Sequence, residues 1–176
     1  LSGFGGSEKT QTGFYLRKYL DADLPQSRAS YSGSDQQWIE LRYGEVLLNY
    51  AEAAIELDRI ADAKWAVNKI RERAGISLLE DDEVTRDRVR HERLVELAFE
   101  NHRWWDYRRW RIADDVMNNT RFHALKPYYD LDADAYRFEI DEAGQYSKTF
   151  QSRVYYERID PGEIAKNPNL VQNPNY

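Results

Sequence analysis

The sequence predicts a mainly α-helical protein that combines a tetratricopeptide-like helical hairpin and two further helices with irregular loops and a short β-hairpin in the C-terminal third. Apolar residues recur at helical spacing over residues 38–75 and again over residues 85–118, as expected for helices with one buried face. Residues 119–176 lose that period and carry short β-prone runs. Residues 1–37 are rich in Gly, Ser, Asp and Gln, which predicts an extended lead-in within one region of 176 residues.

The helical hairpin is predicted from two apolar faces joined by a turn at Leu57–Ile60. The first helix is expected to begin near Trp38, and Gly75 is expected to end the second in the left-handed conformation that caps helices. Such a pair matches one tetratricopeptide unit of about 34 residues, which needs other helices to cover its faces. The predicted faces are Tyr43, Leu47, Tyr50, Ala54 and Leu57 on the first helix and Ala63, Ala66, Val67, Ile70 and Ala74 on the second.

Two more helices are predicted after an acidic loop. Thr85 is the expected N-cap of the third helix, because its hydroxyl can accept a hydrogen bond from a free backbone N–H. Asn101 is the expected break, since asparagine tolerates left-handed backbone, and a fourth helix should run from Trp104 to about Met117. The apolar residues of the third helix are Val89, Leu94, Leu97 and Phe99.

The C-terminal third is predicted to contain short strands and an irregular tail. Asp141–Gly144 is expected to form a hairpin turn between two β-prone runs. Two Asn-Pro pairs make residues 167–176 irregular, and we expect Leu170, Val171 and Tyr176 to hold them. The β-prone runs are Tyr128-Tyr129, Tyr136–Ile140 and Arg153–Tyr156.

Composition excludes several classes of function. The net charge of −6 argues against nucleic-acid binding, which normally uses a basic surface. The absence of cysteine excludes disulfides, thiolate metal sites and cysteine nucleophiles. No apolar run approaches the roughly 18 residues of a membrane-spanning helix. Because the chain opens with Leu1 rather than Met, we expect a processed protein or a fragment, with any targeting segment upstream.

One acidic stripe is the main candidate for chemistry. Glu92, Glu96 and Glu100 recur every four residues, so on a helix they share one face and repel one another unless cations lie against them. A helical di-metal site would need Glu-x-x-His motifs, which none of the three histidines supplies. We therefore predict a structural ion network with nearby arginines and no bound metal. The histidines are His91, His102 and His123, and the arginines are Arg90, Arg93, Arg103, Arg108 and Arg109.

No catalytic residue and no cofactor are predicted. The sequence contains no GxSxG, P-loop or GxGxxG motif. None of its 31 acidic residues is singled out as one of a glycosidase pair. We therefore expect a protein that is not an enzyme.

Aromatic side chains are the best physical candidates for ligand contact, because sugar rings stack on aromatic planes. A dense group follows the acidic stripe, but helical spacing spreads its members around the axis, which favours core packing and contacts with arginine. The ligand-contact residues therefore stay unassigned. The dense group is Trp104, Trp105, Tyr107 and Trp110, and weaker candidates in loops are Tyr31, Trp38, Tyr128 and Tyr129.

Four stretches of the chain together resemble the SusD/RagB family. Residues 41–53 are similar to its LRYAEVLLNYAEA helix, and residues 67–75 resemble its lNxIRxRAG helix end. Residues 90–110 resemble IRxERRxELAFEGxRWWDLRRW, and residues 167–176 resemble NPNLxQNPGY. The chain departs from these patterns at Gly44, Asn101 and Asn175, where the family commonly has Ala, Gly and Gly.

The resemblance implies a non-enzymatic surface lipoprotein of the outer membrane that captures glycans or other nutrients and caps a SusC-like TonB-dependent transporter. It also implies a mostly helical fold, of which this chain would be the C-terminal portion, with the lipid-anchored cysteine upstream. The family's sugar-stacking residues lie mostly upstream as well, so none is carried over to this sequence. The helical hairpin alone is also compatible with a tetratricopeptide-type interaction module that has a protein partner.

Overall fold

A computed structural model describes residue 10 and residues 12–25 and 34–176. The described residues form two compact units, one of residues 18–106 and one that joins residues up to 17 with residues 107–176. Helices dominate and one antiparallel β-hairpin lies between the fifth and sixth helices, which confirms the predicted fold class. The elements are α1 (Tyr43–Glu56), α2 (Ile60–Ala74), α3 (Arg86–Glu96), α4 (Arg103–Arg109), α5 (Ala113–Met117), β1 (Thr120–Asp130), β2 (Ala135–Lys148) and α6 (Pro161–Lys166).

The core of the first unit lies among α1, α2 and α3. Ala51 of α1 and Ala63 and Ala66 of α2 are completely buried, and their small side chains let the two helices approach closely. No helix in the described part of the chain has the length and hydropathy needed to cross a membrane. The remaining buried apolar residues of this core are Leu47, Leu48, Ala54, Val67, Ile70, Leu79, Val84, Val89 and Leu97.

The buried face of α1 differs from the predicted stripe. Leu48 and Ala51 are completely buried, although neither belongs to that stripe. The prediction is wrong because the contact with the alanines of α2 uses a face rotated toward these two positions. The stripe residues that are exposed are Tyr43, Tyr50 and Leu57, and those that are buried are Leu47 and Ala54.

The start of α1 also differs from the prediction. The helix begins at Tyr43 rather than near Trp38. Arg42 precedes it with an extended backbone (φ −144°, ψ 159°). In that position its guanidinium donates hydrogen bonds to Glu96 and Glu100, so a long-range contact decides where the helix starts.

Three helix boundaries follow their local signals and are confirmed. Gly75 ends α2 with φ +69°. The Thr85 hydroxyl accepts a hydrogen bond from the Arg88 N–H (3.2 Å) at the start of α3. Asn101 has φ +63° and separates α3 from α4.

Helix α3 buries charge where apolar residues were predicted. Val89 and Leu97 are buried as expected, but Leu94 and Phe99 are exposed. Phe99 lies beyond the end of α3 at Glu96 and has φ +64°, so helical spacing does not predict its burial. The charged residues buried on α3 are Glu92 and Arg93.

The predicted fourth helix is two short helices, α4 and α5. Arg111 interrupts it with φ +59°. Its guanidinium lies 4.8 Å from the centre of the Tyr155 ring and 4.5 Å from that of Tyr156, and it donates to the Tyr156 hydroxyl (2.5 Å). Contact with a distant segment thus fixes a backbone conformation that helical periodicity does not predict.

Strands β1 and β2 form a long two-stranded antiparallel ribbon. Its turn lies at residues 131–134, where the Asp130 carboxylate accepts hydrogen bonds from the N–H groups of Asp132 and Ala133 (both 3.0 Å). Aspartate favours a turn that follows it, because its side chain can accept hydrogen bonds from the backbone N–H groups of the turn. The turn predicted at Asp141–Gly144 is therefore wrong, and those residues lie within β2.

The β-prone run Arg153–Tyr156 does not form a strand. Most of it lies in a 3-10 helix at Ser152–Tyr155. The Tyr155 hydroxyl is hydrogen-bonded to the Asp114 carboxylate, and its ring packs edge-on against Phe150 with centroids 4.9 Å apart. These contacts favour a compact turn over an extended strand.

The C-terminal tail is held mainly by polar groups. Gln172 exchanges two hydrogen bonds with the backbone of Ile159 (2.9 and 2.8 Å), as a neighbouring strand would. Tyr176 donates to the Tyr156 carbonyl (3.0 Å), which agrees with its predicted role. Val171 was predicted as an anchor but is 82% exposed, because the amide side chain next to it supplies the attachment.

Gly13 lies where the lead-in passes beside β1. The Leu125 N–H donates to the Thr12 carbonyl (3.0 Å), and Gly13 itself has φ +78°. A β-carbon added to Gly13 would lie 1.9 Å from the Leu125 carbonyl oxygen, a backbone atom that no side-chain rotation can move. This approach of two backbones requires glycine.

Gly13→Ala is expected to detach the lead-in from β1, because it adds a backbone clash to a left-handed strain of about 1–2 kcal/mol. Hydrogen exchange at the Leu125 amide should become faster. Gly75→Ala is the matched control, since it carries the same strain but its added carbon meets nothing within 4 Å. It should leave the Leu125 amide unchanged. Equal protection of that amide in wild type and Gly13→Ala would contradict the prediction.

Candidate functional site

The first carboxylate of the acidic stripe pairs with α2. Arg71 donates to Glu92 (2.7 Å), and both side chains are buried. The same guanidinium donates to the Ser77 carbonyl (2.7 Å), which fixes the loop after α2. Removing one member would leave a buried charge unpaired, at a cost of about 3–5 kcal/mol.

Arg42 binds the other two carboxylates of the stripe. It donates to Glu96 Oε1 (2.6 Å) and forms a bidentate pair with Glu100 (2.6 and 2.8 Å). It also donates to the Glu96 carbonyl (2.8 Å), at the helix end where carbonyls lack intrahelical partners. Arg73 of α2 approaches Glu96 from another side (2.8 and 2.6 Å). Such paired contacts use the planar fork of arginine, which lysine lacks.

Lys18 joins the lead-in to the same helix end. Its ammonium group donates to the carbonyls of Glu96 and Ala98 (both 3.0 Å) and to the Glu100 carboxylate. Positive charge is favourable at a helix C-terminus because the helix dipole is negative there. The group comprising Lys18, Arg42, Glu96 and Glu100 is hereafter the α3 clamp.

The predicted ion network is present, but its cations come from other elements than expected. They belong to the lead-in, to the residue before α1 and to α2, as the contacts above show. Two of the arginines predicted as partners pair elsewhere: Arg93 with Asp106 (2.8 Å) and Arg108 with Glu157 (3.2 Å). Periodicity assigns residues to a helix face, but it does not reveal which element packs against that face.

The clamp keeps the Glu100 carboxylate ionised. Burial would raise its pKa, but the hydrogen bonds from Arg42 and Lys18, together with their charges, outweigh burial, so the pKa lies below the ordinary value of 4.5. Hydrogen bonding to Glu100 in turn raises the pKa of Arg42. A carboxylate that is ionised and hydrogen-bonded in this way is a poor general acid at neutral pH, so the arrangement supports a structural role.

A second buried ion pair adjoins a small cavity. Arg93 donates to Asp106 and to the Asn49 side chain (both 2.8 Å). The cavity has a volume of about 180 Å³, and Leu97 and Phe99 contribute to its largely apolar lining. Ligand pockets usually measure about 300–1,000 Å³. The cavity is therefore too small for an oligosaccharide.

The histidines and acidic residues that the structure describes form no cluster that could hold a metal ion. Over residues 10, 12–25 and 34–176, no three side chains of the metal-ligating types converge on a common point. His102 Nε2 lies 3.8 Å from a carboxylate oxygen of Glu45, a contact between two side chains only. The oxygens of Glu96 and Glu100 already accept hydrogen bonds from arginine or lysine.

The tryptophan-rich group is only partly buried. Trp104 and Trp105 are exposed, whereas Tyr107 and Trp110 are half-buried. The guanidinium of Arg109 lies 5.3 Å from the centre of the Trp110 ring, so the predicted arginine contact is present. The expectation of core packing for the whole group is wrong, because α4 has only 7 residues and does not bury all its faces.

The loop aromatics that the structure describes make contacts within their own units. Trp38 stacks on Tyr19 with ring centroids 4.8 Å apart. The ring centre of Tyr128 lies 5.5 Å from the guanidinium of Arg137 on the neighbouring strand. Tyr31 lies outside the described residues. Trp38 belongs to the unit of residues 18–106, whereas Tyr128 and Tyr129 belong to the other unit.

An exposed apolar surface covers one face of the β-ribbon. The strand register places three cross-strand pairs on that face, because paired residues and every second residue along a strand point the same way. Tyr136, Phe138 and Ile140 are 63%, 60% and 74% exposed. The ribbon face is defined as the pairs Tyr129–Tyr136, Pro127–Phe138 and Leu125–Ile140.

Among the residues of the ribbon face, only Tyr129 is a candidate ligand contact in the sequence. Residues 136–140 alternate apolar and charged side chains, the period-two pattern of a strand with one apolar face. That alternation could have identified the β2 half. The β1 half required the strand register, which depends on the true position of the turn.

Several known proteins are similar to this chain in sequence and in fold. The profile of the SusD family matches residues 5–176. SusD-like protein P2 of Formosa agariphila is 31% identical over 157 residues, which cover 81% of this chain and 26% of that protein. SusD-like protein P25 of the same organism is 34% identical over 119 residues, covering 64% of this chain and 22% of that protein. A solved SusD-like protein from Bacteroides fragilis NCTC 9343 has a TM-score of 0.63 and 32% identity, covering 79% of this chain and 26% of that one.

These matches identify a class of largely helical proteins that bind without catalysing a reaction. The chain belongs to the SusD family. It spans about a quarter of the length of the curated relatives that it matches.

Glu96→Ala is expected to lower the free energy of unfolding by about 2–4 kcal/mol, because it leaves cations facing a largely buried site. The Glu96 side chain is only 11% exposed. Arg73→Ala is the control, since its side chain is 64% exposed and its removal should cost less than about 1 kcal/mol. Chemical denaturation measures both. Similar small effects in the two variants would show that the clamp does not hold the helices.

The stability contributed by Glu100 is expected to disappear in acid. Its pKa in the folded protein lies below the ordinary value of 4.5, so its contribution is complete above that pH and is lost as the pH falls through the folded-state pKa. The difference between the free energies of unfolding of wild type and Glu100→Gln should therefore be constant well above pH 4.5 and should shrink as the pH falls below 4.5. Denaturant titrations at several pH values measure this difference. A constant difference would rule out the predicted linkage.

Proposed function

We propose that this chain is the C-terminal portion of a non-enzymatic nutrient-capture protein at the outer-membrane surface. The protein binds a glycan or another nutrient and delivers it to a SusC-like TonB-dependent transporter. An N-terminal lipid anchor outside this chain attaches it to the membrane. The observation that carries the proposal is the match of the SusD family to residues 5–176.

The chemistry of the described residues supports binding rather than catalysis. The stripe carboxylates hold helices together through Arg71, Arg42 and Lys18 and are not presented to a substrate. Ion pairs of this kind make a rigid support. Rigid support lowers the entropy lost when exposed side chains bind a partner or ligand.

We further propose that the nutrient-contact residues and additional helical hairpins lie in other parts of the protein. The relatives are about four times longer than the segment they share with this chain. The cavity beside Arg93 and Asp106 is too small for an oligosaccharide, which also favours a binding site elsewhere.

A tetratricopeptide-type module with a purely protein partner is the second candidate. The outward side of the helical hairpin favours it, because Tyr50 of α1 and Trp65 of α2 are exposed and pack edge-on with centroids 6.1 Å apart. Exposed aromatic pairs of this kind are common at protein interfaces. The candidate differs from the first in having no nutrient ligand and no transporter.

The full-length protein, tagged and extracted from outer membranes in detergent, is expected to co-purify with a TonB-dependent transporter. In isothermal titration against a panel of oligosaccharides and peptides, it should bind at least one nutrient. A soluble cytoplasmic partner, without transporter or nutrient, would favour the second candidate. If neither transporter nor nutrient is bound, the proposed function is overturned.

A further inference from the structure

The ribbon face is open to solvent in the part of the chain that the structure describes. Tyr136, Phe138 and Ile140 are each more than half exposed. Contiguous apolar patches of this kind on a protein surface usually mark a place where something binds. The question is therefore which surface covers this face in the whole protein.

The opposite face of the ribbon changes along its length. Near the base of the ribbon, Ala124 is buried. Toward the tip, Lys126 pairs with Asp141, and Arg137 pairs with Glu139 (2.8 Å). Because successive side chains of a strand point to opposite faces, the packing that buries Ala124 cannot also cover the ribbon face.

Pro127 decides how another surface can reach the ribbon. The Leu125 N–H points to the outer edge of β1, because it donates to the Thr12 carbonyl (3.0 Å). Pro127 lies two residues farther along the strand, so its nitrogen points to the same edge, but proline has no N–H to donate. A covering surface is therefore expected to pack on the side chains of the ribbon face rather than add a strand at this edge.

The stability of the ribbon requires that the cover be present early. A two-stranded hairpin is only marginally stable in water unless another element packs on it. Strands β1 and β2 extend from the contact at Leu125 to the turn at residues 131–134. A surface that these strands need in order to form has to be present when the protein folds, before it meets a separate partner. This requirement favours a cover from the same polypeptide.

The lead-in connects the ribbon to the preceding part of the protein. Thr12 and Gly13 lie against Leu125 of β1. The eleven residues before Thr12 cannot span more than about 40 Å even when fully extended. A segment that precedes Leu1 is thus tethered near the ribbon, at an effective concentration that is of millimolar order for short linkers. A separate protein would have to compete with this tethered segment for the ribbon face.

The lead-in itself exposes apolar side chains. Phe14 and Leu16 follow Gly13 and are 58% and 41% exposed. They belong to the same unit as the ribbon. Uncharged aromatic and aliphatic side chains are typical of the buried centre of permanent interfaces, which resemble the interior of a domain. The composition of both segments therefore agrees with a permanent cover.

We propose that in the full-length protein the ribbon face is covered by apolar side chains of the segment that precedes Leu1, which packs on β1 and β2 from outside this chain. The inference rests on the proposed function, because it takes this chain as the C-terminal portion of a longer protein. The matched part of SusD-like protein P2 is 26% of that protein, so a relative of this length has ample chain for such a cover. The ribbon face is then an internal interface of the protein.

The test measures how fast an introduced thiol reacts in the full-length protein, purified without transporter. Ile140→Cys places the thiol on the ribbon face, and Arg137→Cys is the matched control on the opposite face of the same strand. This chain contains no cysteine, so labelled peptides from it report one site each. Maleimide labelling at residue 140 should be about tenfold or more slower than at residue 137, because a covered thiol reacts only when the structure opens locally. In denaturant the two rates should become equal.

Melting temperatures of the full-length protein provide a second measurement. Phe138→Thr/Ile140→Thr removes apolar contacts from the ribbon face and keeps a strand-favouring residue type. It should lower the melting temperature by about 3 °C or more, because buried apolar groups are lost. Arg137→Thr/Glu139→Thr removes both members of an exposed ion pair and should change it by less than about 1 °C. Equal melting temperatures for the two variants would contradict a covered face, and the labelling rates decide where the first variant does not fold.

The remaining outcomes separate the inference from the proposed function. Labelling rates at residues 140 and 137 that agree within about twofold overturn the inference. Slow labelling at residue 140 that requires bound transporter, or that is lost when a dimer is diluted, assigns the face to the transporter or to a second copy and overturns it as well. The labelling uses neither transporter nor nutrient. A full-length protein that captures neither therefore overturns the proposed function, while the labelling rates still decide whether the ribbon face is covered.

Discussion

The α3 clamp is the interaction on which the helical unit depends. Arg42 joins the start of α1 to two carboxylates and a carbonyl near the end of α3, and Lys18 brings the lead-in to the same point. A buried ion pair adds little net stability compared with apolar packing, but an arrangement that separates it leaves a charge unpaired. The alanine-rich faces of α1 and α2 carry few large side chains that would fix a single packing arrangement of the two helices. The clamp therefore selects one arrangement among those that such faces permit.

Many residues that carry the resemblance to the SusD family make the polar contacts of this fold. Asn68 exchanges two hydrogen bonds with the backbone of Leu79 (3.0 and 2.8 Å), and Gln172 does the same for the segment before α6. Each amide side chain satisfies backbone groups as a neighbouring strand would. The departure at Gly44 fits the clamp, because an added β-carbon would lie 2.4 Å from the Arg42 guanidinium, which would have to shift.

Helix caps and breaks that depend on nearby residues could be predicted from the sequence. The caps at Gly75 and Thr85 and the break at Asn101 depend on a residue and its near neighbours, and all three are present. The cations of the acidic stripe and the break at Arg111 depend on segments far away in sequence, so periodicity could not supply them. The ribbon face depends on both kinds of information. The alternation of apolar and charged residues in β2 indicates its apolar side, but the position of the turn is needed to align β1 with it.

The ion pairs of the α3 clamp limit where a ligand could bind. A carboxylate that accepts hydrogen bonds from Arg42 and Lys18 can bind a ligand only after releasing the helices that it joins, so ligand binding there would oppose folding. Side chains that take no part in these ion pairs can make contacts without that cost. The ribbon face meets this condition, since its apolar residues are exposed while the charges behind them are paired.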